Sequence, residues 1–320
     1  MSTNDAGLAR LVLVDEKDMR QVLPVPPGQY REPCLSPNGK QAAWVAFDDA
    51  SQKTTIWIYD LGGNAAPRHL TFDNSDYPLW TPDSKRIIFA SRETTAGGVG
   101  GLMWQNADGT GTAEMLVQPK GNNQGGGYVA ESVYGNILAF HGEGNGEDIW
   151  QVSLEGDHTP KPLISLPANQ TQAAISPDGH WIAYSSTETG RQEIFVQPFP
   201  PTGAKSQVTS NSPGFSGAAS PLWSPDGKRI FYVQFGSGFP QLSSVDVAVG
   251  SALSFSNPKT VTSRQNGGTT AMRPYDVSPD GKQFLIMRPD DGTDTPGARQ
   301  TEMHIVLNWF TELQQHVPVK

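Results

Sequence analysis

The 320-residue chain holds one cysteine, Cys34, so no disulfide can form within it. Its neighbours Pro33 and Leu35 place it in an apolar strand, where it reads as a small buried thiol rather than a nucleophile. No apolar run approaches the roughly 18–20 residues that cross a bilayer, which excludes membrane insertion of this segment by a helix. The start, Met1-Ser-Thr-Asn-Asp5, has neither the basic end nor the apolar centre of an export signal, as expected of a cytoplasmic protein or of a piece trimmed from a longer chain. Basic residues are in deficit, 23 against 32 acidic, for a net charge of −9. They form no cluster that could displace counterions from phosphate, which argues against nucleic acid and anionic membranes as partners. Catalytic signatures are missing as well. The six histidines form no His-Glu-x-x-His pair, and the chain has no Gly-x-Ser-x-Gly elbow and no phosphate-binding Gly-Lys loop.

Glycine and proline are abundant, at 34 and 26 residues, and they are spread evenly among short apolar runs. With 36% hydrophobic and 17% charged residues, the composition is that of a folded chain with many strands and turns.

One phrase recurs: an apolar stretch, a Ser-Pro-Asp-Gly-Lys turn, then an apolar strand. It occurs as Leu35-Ser-Pro-Asn-Gly-Lys40, Trp80-Thr-Pro-Asp-Ser-Lys85, Ile175-Ser-Pro-Asp-Gly-His180, Trp223-Ser-Pro-Asp-Gly-Lys228 and Val277-Ser-Pro-Asp-Gly-Lys282. A worn copy sits at Ser132-Val-Tyr-Gly-Asn136. Successive spacings of 45, 51, 44, 48 and 54 residues match the length of a four-stranded propeller blade. The turn chemistry is local. Proline fixes φ at the first corner, aspartate bonds backbone two residues on, and glycine accepts positive φ. Each copy continues with a third strand, such as Thr55-Ile-Trp-Ile-Tyr59 or Asp148-Ile-Trp-Gln-Val152, and a fourth ending near Leu-Thr or Val-Thr, as in Arg68-His-Leu-Thr71 and Gln207-Val-Thr209. Six units of four strands predict an all-β, six-bladed β-propeller of antiparallel blades, a single domain over residues 1–320 with a short helical tail at 311–318.

These turns, the Ile-Trp-Ile-Tyr type of strand and the Leu-Thr endings resemble the TolB-like, WD40-like propeller repeats of bacterial proteins, over nearly the whole chain. The tail Met303-His-Ile-Val-Leu-Asn-Trp-Phe-Thr-Glu-Leu313 resembles the end of propeller regions in bacterial membrane-linked serine/threonine kinases. The resemblance implies an extracytoplasmic, periplasmic recognition or sensor domain, detached from or belonging to a larger membrane-anchored protein. It implies no particular ligand, because this repeat serves many roles.

The N-terminal runs Arg10-Leu-Val-Leu-Val-Asp15 and Gln21-Val-Leu-Pro24 form a hairpin with no first or second strand before it. Joining it to the last repeat closes the ring and removes open sheet edges. Segment 304–309 also reads as a strand, and the expectation is that it takes the third place of the closing blade, with the N-terminal strands outside it.

In such a fold the Ser-Pro-Asp-Gly turns lie on one face. The longer loops at 91–101, 118–127, 141–147, 211–220, 262–270 and 288–300 lie on the other, where binding usually sits. The channel mouth is expected to be lined by Arg31, Glu32, Asp76, Tyr77, Tyr128, Gln172, Arg273 and Tyr275. That mixture of charges and aromatics suits a peptide terminus, a sugar or a cation. Glu131 falls where other copies place Leu35, Trp80 or Ile175, so it is either a ligand group or the mark of a slipped register. Asp73-Asn-Ser-Asp76 gathers oxygens that could hold calcium, although an ordinary polar turn explains it too. No other cofactor is indicated. His141, at the start of a variable-face loop, is the best catalytic candidate, and the competing reading is an exposed loop histidine. The expected function is non-catalytic binding of a protein or peptide by a monomer. The alternative is a propeller enzyme of polysaccharide lyase or lactonase type with a metal in the channel.

Overall fold

A computed structural model of the chain describes residues 7–63, 65–92, 101–118, 127–142, 147–209, 215–236, 240–250, 253–262 and 273–290. Two strands open the chain, β1 (Ala9–Asp15) and β2 (Arg20–Val22). The first blade follows as β3 (Gln29–Leu35), β4 (Gln41–Asp48), β5 (Lys53–Asp60) and β6 (Arg68–His69). The second is β7 (Ser75–Trp80), β8 (Arg86–Ser91), β9 (Leu102–Asn106) and β10 (Glu114–Val117). The third is β11 (Tyr128–Tyr134), β12 (Ile137–Gly142), β13 (Ile149–Ser153) and β14 (Lys161–Ile164). The fourth is β15 (Gln170–Ile175), β16 (Trp181–Ser186), β17 (Glu193–Pro198) and β18 (Ser206–Gln207). The fifth has β19 (Phe215–Trp223), β20 (Arg229–Gly236) and β21 (Gln241–Val249), and its outer edge is split between β22 (Leu253–Phe255) and β23 (Lys259–Thr262). The sixth combines β24 (Tyr275–Val277) and β25 (Gln283–Pro289) with the two N-terminal strands. The described residues thus form the expected six-bladed, antiparallel propeller.

The turns follow the local chemistry read from sequence. In the first blade, Asn38 Oδ1 accepts the Lys40 amide at 2.9 Å and the Ser36 hydroxyl at 2.7 Å, while Ser36 Oγ accepts the Gln41 amide at 2.9 Å. Asp83, Asp178, Asp226 and Asp280 make the same bonds in their blades. Hydrogen bonds from Ser224 and Ser278 hold the Asp226 and Asp280 carboxyls below the usual carboxylate range. Gly39, Gly179, Gly227 and Gly281 take φ of +69 to +71°, a region that disfavours a side chain.

The core consists of six apolar seams, one between each pair of neighbouring blades. Val45, Ile56 and Ile58 of the first blade meet Trp80, Ile87 and Phe89 of the second. Leu11, Leu13 and Leu285 of the sixth meet Leu35, Ala42 and Trp44 of the first, which closes the circle. Burying both faces of every blade this way supplies the apolar area that a chain of short strands needs. Trp44, Trp80 and Trp223 lie within these seams as packing residues.

The closing blade differs from expectation in strand order. β1 pairs with β25 over seven residues, from Ala9↔Pro289 to Asp15↔Gln283, so the N-terminal strand itself fills the third place and β2 the fourth. The unbroken apolar run Leu11-Val-Leu-Val14 suits β1 to the place between β25 and β2, where Leu11 and Leu13 face the first blade and Val12 and Val14 the fifth. The segment 304–309 assigned to that place, and the tail helix at 311–318, lie outside the described residues.

The third repeat is also registered differently. Val133↔Leu138 occupies the place of Leu35↔Ala42 and Ile175↔Ile182, so Ser132 corresponds to Cys34 and not to the turn serine Ser36. The hairpin there is a two-residue turn from Tyr134 to Ile137, shorter than its counterparts, which displaced the alignment by two. Glu131 is therefore no intruder in an apolar slot. It is the bulge residue of β11.

Candidate functional site

Five of the innermost strands carry a β-bulge near mid-height. In four of them the first bulge residue adopts positive φ: Glu32 (+54°), Tyr77 (+58°), Gln172 (+59°) and Ser220 (+56°). Such a backbone is strained for a non-glycine residue and leaves its amide without a ladder partner. For three of the four, Tyr77, Gln172 and Ser220, the neighbouring blade supplies that partner. Glu32 Oε2 accepts the Tyr77 amide at 2.7 Å, Glu131 Oε1 accepts the Gln172 amide, and Gln172 Oε1 accepts the Ser220 amide at 2.9 Å. Glu131 Oε2 also takes the Ala173 amide at 2.9 Å. A second tier lies below. Asp276 accepts the Leu35 amide at 2.7 Å, and Ser132, at the same place in its blade, accepts the Ile175 amide at 3.0 Å. Blade-to-blade clamps thus line the channel wall.

The structure sorts the predicted mouth residues accordingly. Glu32, Glu131 and Gln172 are clamps with oxygens committed to backbone. Tyr275 does not line the channel. It is fully buried, its hydroxyl donates to the Ser220 carbonyl at 2.8 Å, and burial raises its pKa well above the ordinary value. His141 is not the exposed loop histidine that the sequence suggested. β12 continues two residues past the apolar run, so the ring is wholly buried, with Nδ1 2.5 Å from Glu131 Oε1. Arg273 reaches across the channel from the sixth blade to the Glu131 carbonyl on the third, the facing blade. Above this bar lies a cavity of about 30 Å³, room for about one water, lined by Glu32, Tyr77, Gln172 and Arg273 among others. Below it a vestibule of about 480 Å³ opens toward the turn face, with apolar walls at Leu35, Trp80 and Leu222 and with Asp276, Glu131 and Arg273 among its lining.

Arg31, Asp76, Tyr77 and Tyr128 remain at the mouth. The Asp76 carboxylate is buried between two guanidiniums: Arg92 Nε lies 2.8 Å from Oδ2 and Arg31 Nη2 lies 3.9 Å from Oδ1. The arginine side chains are 51% and 42% exposed, against 6% for Asp76. Burial, and secondarily the Asp76 charge, push the adjacent Glu32 carboxyl up to about 8, so it is mostly protonated at neutral pH. Burial also raises Asp276, with Arg273 pulling the other way. Asp73 stands apart from Asp76. It is exposed and bonded to Lys53 at 2.8 Å, so each of the two aspartates proposed for calcium faces a cation of the protein itself. Among the described residues no group of three His, Cys, Asp or Glu side chains could hold a metal ion. Cys34 is buried and its thiol is raised by burial, as expected. Sequence reasoning missed Arg92, Asp276 and Ser132. Arg92 follows a strand end without any motif, and the other two are legible only once the inner strands are registered against one another. Most of the variable loops lie outside the described residues. No described helix is long and apolar enough to cross a membrane.

No known family model matches the chain. Among solved structures, a protein assigned as TolB in Agrobacterium tumefaciens superposes with a TM-score of 0.70 at 17% identity, over 88% of this chain and 98% of that one. A puromycin-hydrolyzing peptidase from Mycobacterium tuberculosis gives 0.57 at 16% identity over 82% of this chain, which spans 44% of the peptidase. A protein assigned as a 6-phosphogluconolactonase in Bacteroides uniformis gives 0.54 at 14% identity over 87% of this chain and 88% of that one. At these identities the likeness shows the fold alone, a β-propeller.

Proposed function

We propose that the chain is a recognition propeller that binds a protein or peptide segment at the channel mouth on its variable-loop face. The observation that carries this reading is the division of labour among the channel residues. Glu32, Glu131 and Gln172 hold the ring together, while Arg31 and Arg92, about half exposed, and the partly exposed Tyr77 and Tyr128 would meet the ligand. Arginine and tyrosine are the side chains that contribute most at binding surfaces, through large contact area and directed donors. The likeness of fold to a TolB protein agrees with a binding role and with a location outside the cytoplasm, both of which belong to this proposal. The lactonase and peptidase likenesses keep an enzymatic alternative in view.

A thermal-shift screen against random heptapeptides and divalent cations separates the two. A ligand at one hundred times its Kd stabilises by about 2.7 kcal/mol, a visible shift. A shift with peptides that is lost in an Arg31→Gln/Arg92→Gln/Tyr128→Ala variant supports recognition. A shift confined to a divalent cation, accompanied by hydrolysis of a lactone or cleavage of an acidic polysaccharide, replaces it with the enzyme.

A further inference from the structure

We propose that the vestibule on the turn face is a binding site for a small apolar zwitterion, a free amino acid or a dipeptide with apolar side chains, whose ammonium group meets Asp276 and whose carboxylate meets Arg273. The site goes beyond the recognition reading, because it lies on the other face and uses none of the residues assigned to the loop-face ligand.

Place and size are the first argument. The turn prolines Pro37, Pro82 and Pro177, from three different blades, line the vestibule and set it on the face of the repeated turns. Its volume of about 480 Å³ lies within the range of small-molecule sites. Leu35, Leu79, Trp80, Val133 and Leu222 make its walls apolar, which suits an aliphatic or aromatic side chain.

The polar lining is the second argument. Its charged side chains are Glu131, Arg273 and Asp276. The Glu131 carboxylate is taken up by His141 and by the Gln172 and Ala173 amides. The other two, opposite in charge and both partly exposed, form no ion pair with each other or with another side chain among the described residues. Asp276 accepts the Leu35 amide on Oδ2 at 2.7 Å and the Val277 amide on Oδ1 at 2.9 Å, which leaves a second lone pair on each oxygen. Arg273 spends one N–H on the Glu131 carbonyl and keeps the rest of its donors. Ser132 Oγ accepts the Ile175 amide at 3.0 Å, and its hydroxyl hydrogen is left to donate to the same carboxylate. Burial raises the Asp276 carboxyl while Arg273 pulls it back, so a ligand ammonium group relieves a desolvation cost that Arg273 offsets only in part. One positive and one negative group select a ligand that carries both charges. A lone cation or a lone anion would leave the opposite group desolvated without a partner.

The experiment is isothermal titration calorimetry on the full chain, comparing leucine, phenylalanine and leucyl-leucine with leucinamide, N-acetyl-leucine and glycine. The expected result is binding of at least one of the first three, and about tenfold or weaker binding of the derivatives that lack either charge. Glycine, without an apolar body, is expected to bind more weakly too. Whether amino acid or dipeptide binds more tightly tells the two sources apart. Trp80 is the tryptophan of the lining, so a ligand-induced change in intrinsic fluorescence should disappear in Trp80→Phe. Arg273→Gln should abolish the discrimination between leucine and leucinamide, and Asp276→Asn that between leucine and N-acetyl-leucine, with urea unfolding to check that each variant folds. Where a variant does not fold, the ligand series on the parent chain and the Trp80→Phe readout still decide. Equal binding of the charge-deficient derivatives, a fluorescence response that survives Trp80→Phe, or no binding by any of the zwitterions overturns the site. None of these outcomes bears on peptide recognition at the loop face, which is tested separately.

Discussion

The guanidinium of Arg273 crosses the central channel and donates to the main-chain carbonyl of Glu131 on the facing blade, 142 residues away in sequence. It is a strut between opposite walls of the ring, whereas the clamps of Glu32, Glu131 and Gln172 run between neighbouring blades. A charged donor to a half-buried carbonyl is worth more than an ordinary hydrogen bond. Arg273→Ala is expected to destabilise the fold by about 1–3 kcal/mol, read as a lower urea midpoint at an unchanged m-value.

Glu131 is the most heavily committed clamp, with His141, the Gln172 amide and the Ala173 amide all on its carboxyl group. Glu131→Ala strands a buried imidazole, the buried Ala173 amide and the part-buried Gln172 amide. Denaturant unfolding is expected to show a loss of about 3 kcal/mol or more, and Glu131→Gln, which keeps one acceptor, a smaller one.

Glu32 gives a pH signature. Burial raises its carboxyl from 4.5 to about 8, so the folded protein keeps a proton that the unfolded chain has released. The folded state therefore binds more protons across this window. Its stability is greatest, as far as this group is concerned, below about 4.5, and falls as pH rises to about 8. Glu32→Gln retains an acceptor for the Tyr77 amide and cannot ionise. Thermal melts should show the variant more stable than the parent by about 1 kcal/mol or more at pH 8–9, with the gap closing toward pH 5.

The repeated turn glycines are not equivalent. Gly179 and Gly227 share φ of +69°, but a Cβ at Gly179 would stand 2.2 Å from the Tyr134 ring, while the nearest atom at Gly227 is 4.0 Å away. Gly227→Ala is expected to cost about 1 kcal/mol from backbone strain alone. Gly179→Ala should cost more, and a double-mutant cycle with Tyr134→Ala should remove the difference.

Ring closure depends on the N-terminus. A chain starting at residue 23 lacks β1 and β2, leaving β25 as an open edge and the Leu285 and Ile286 face without its partner strand. It is expected to lose cooperative unfolding in circular dichroism, and a synthetic peptide of residues 7–22 should restore it when added in excess.

The sequence by itself determined the number of blades and the chemistry of each turn. Those features depend on residues within about six positions of one another. Pro, Asp and Gly at fixed offsets specify φ and hydrogen bonds wherever the rest of the chain goes, and Ser36, Asn38 and Gln41 behave as their order dictates. The site was only partly legible. Arg31, Asp76, Tyr77 and Tyr128 could be assigned to the inner strands, because they stand just before the turn phrase of their repeats. That Glu32 and Gln172 are clamps, that Tyr275 and His141 are buried, and that Arg92 completes the pair on Asp76 depends on bulges and registers that bring together residues 10 to 55 positions apart. Those were decided by tertiary structure, as was the choice of β1 for the third place in the closing blade. A side chain's identity states what it can bond, and only the packed ring sets which amide, carboxylate or guanidinium lies within reach.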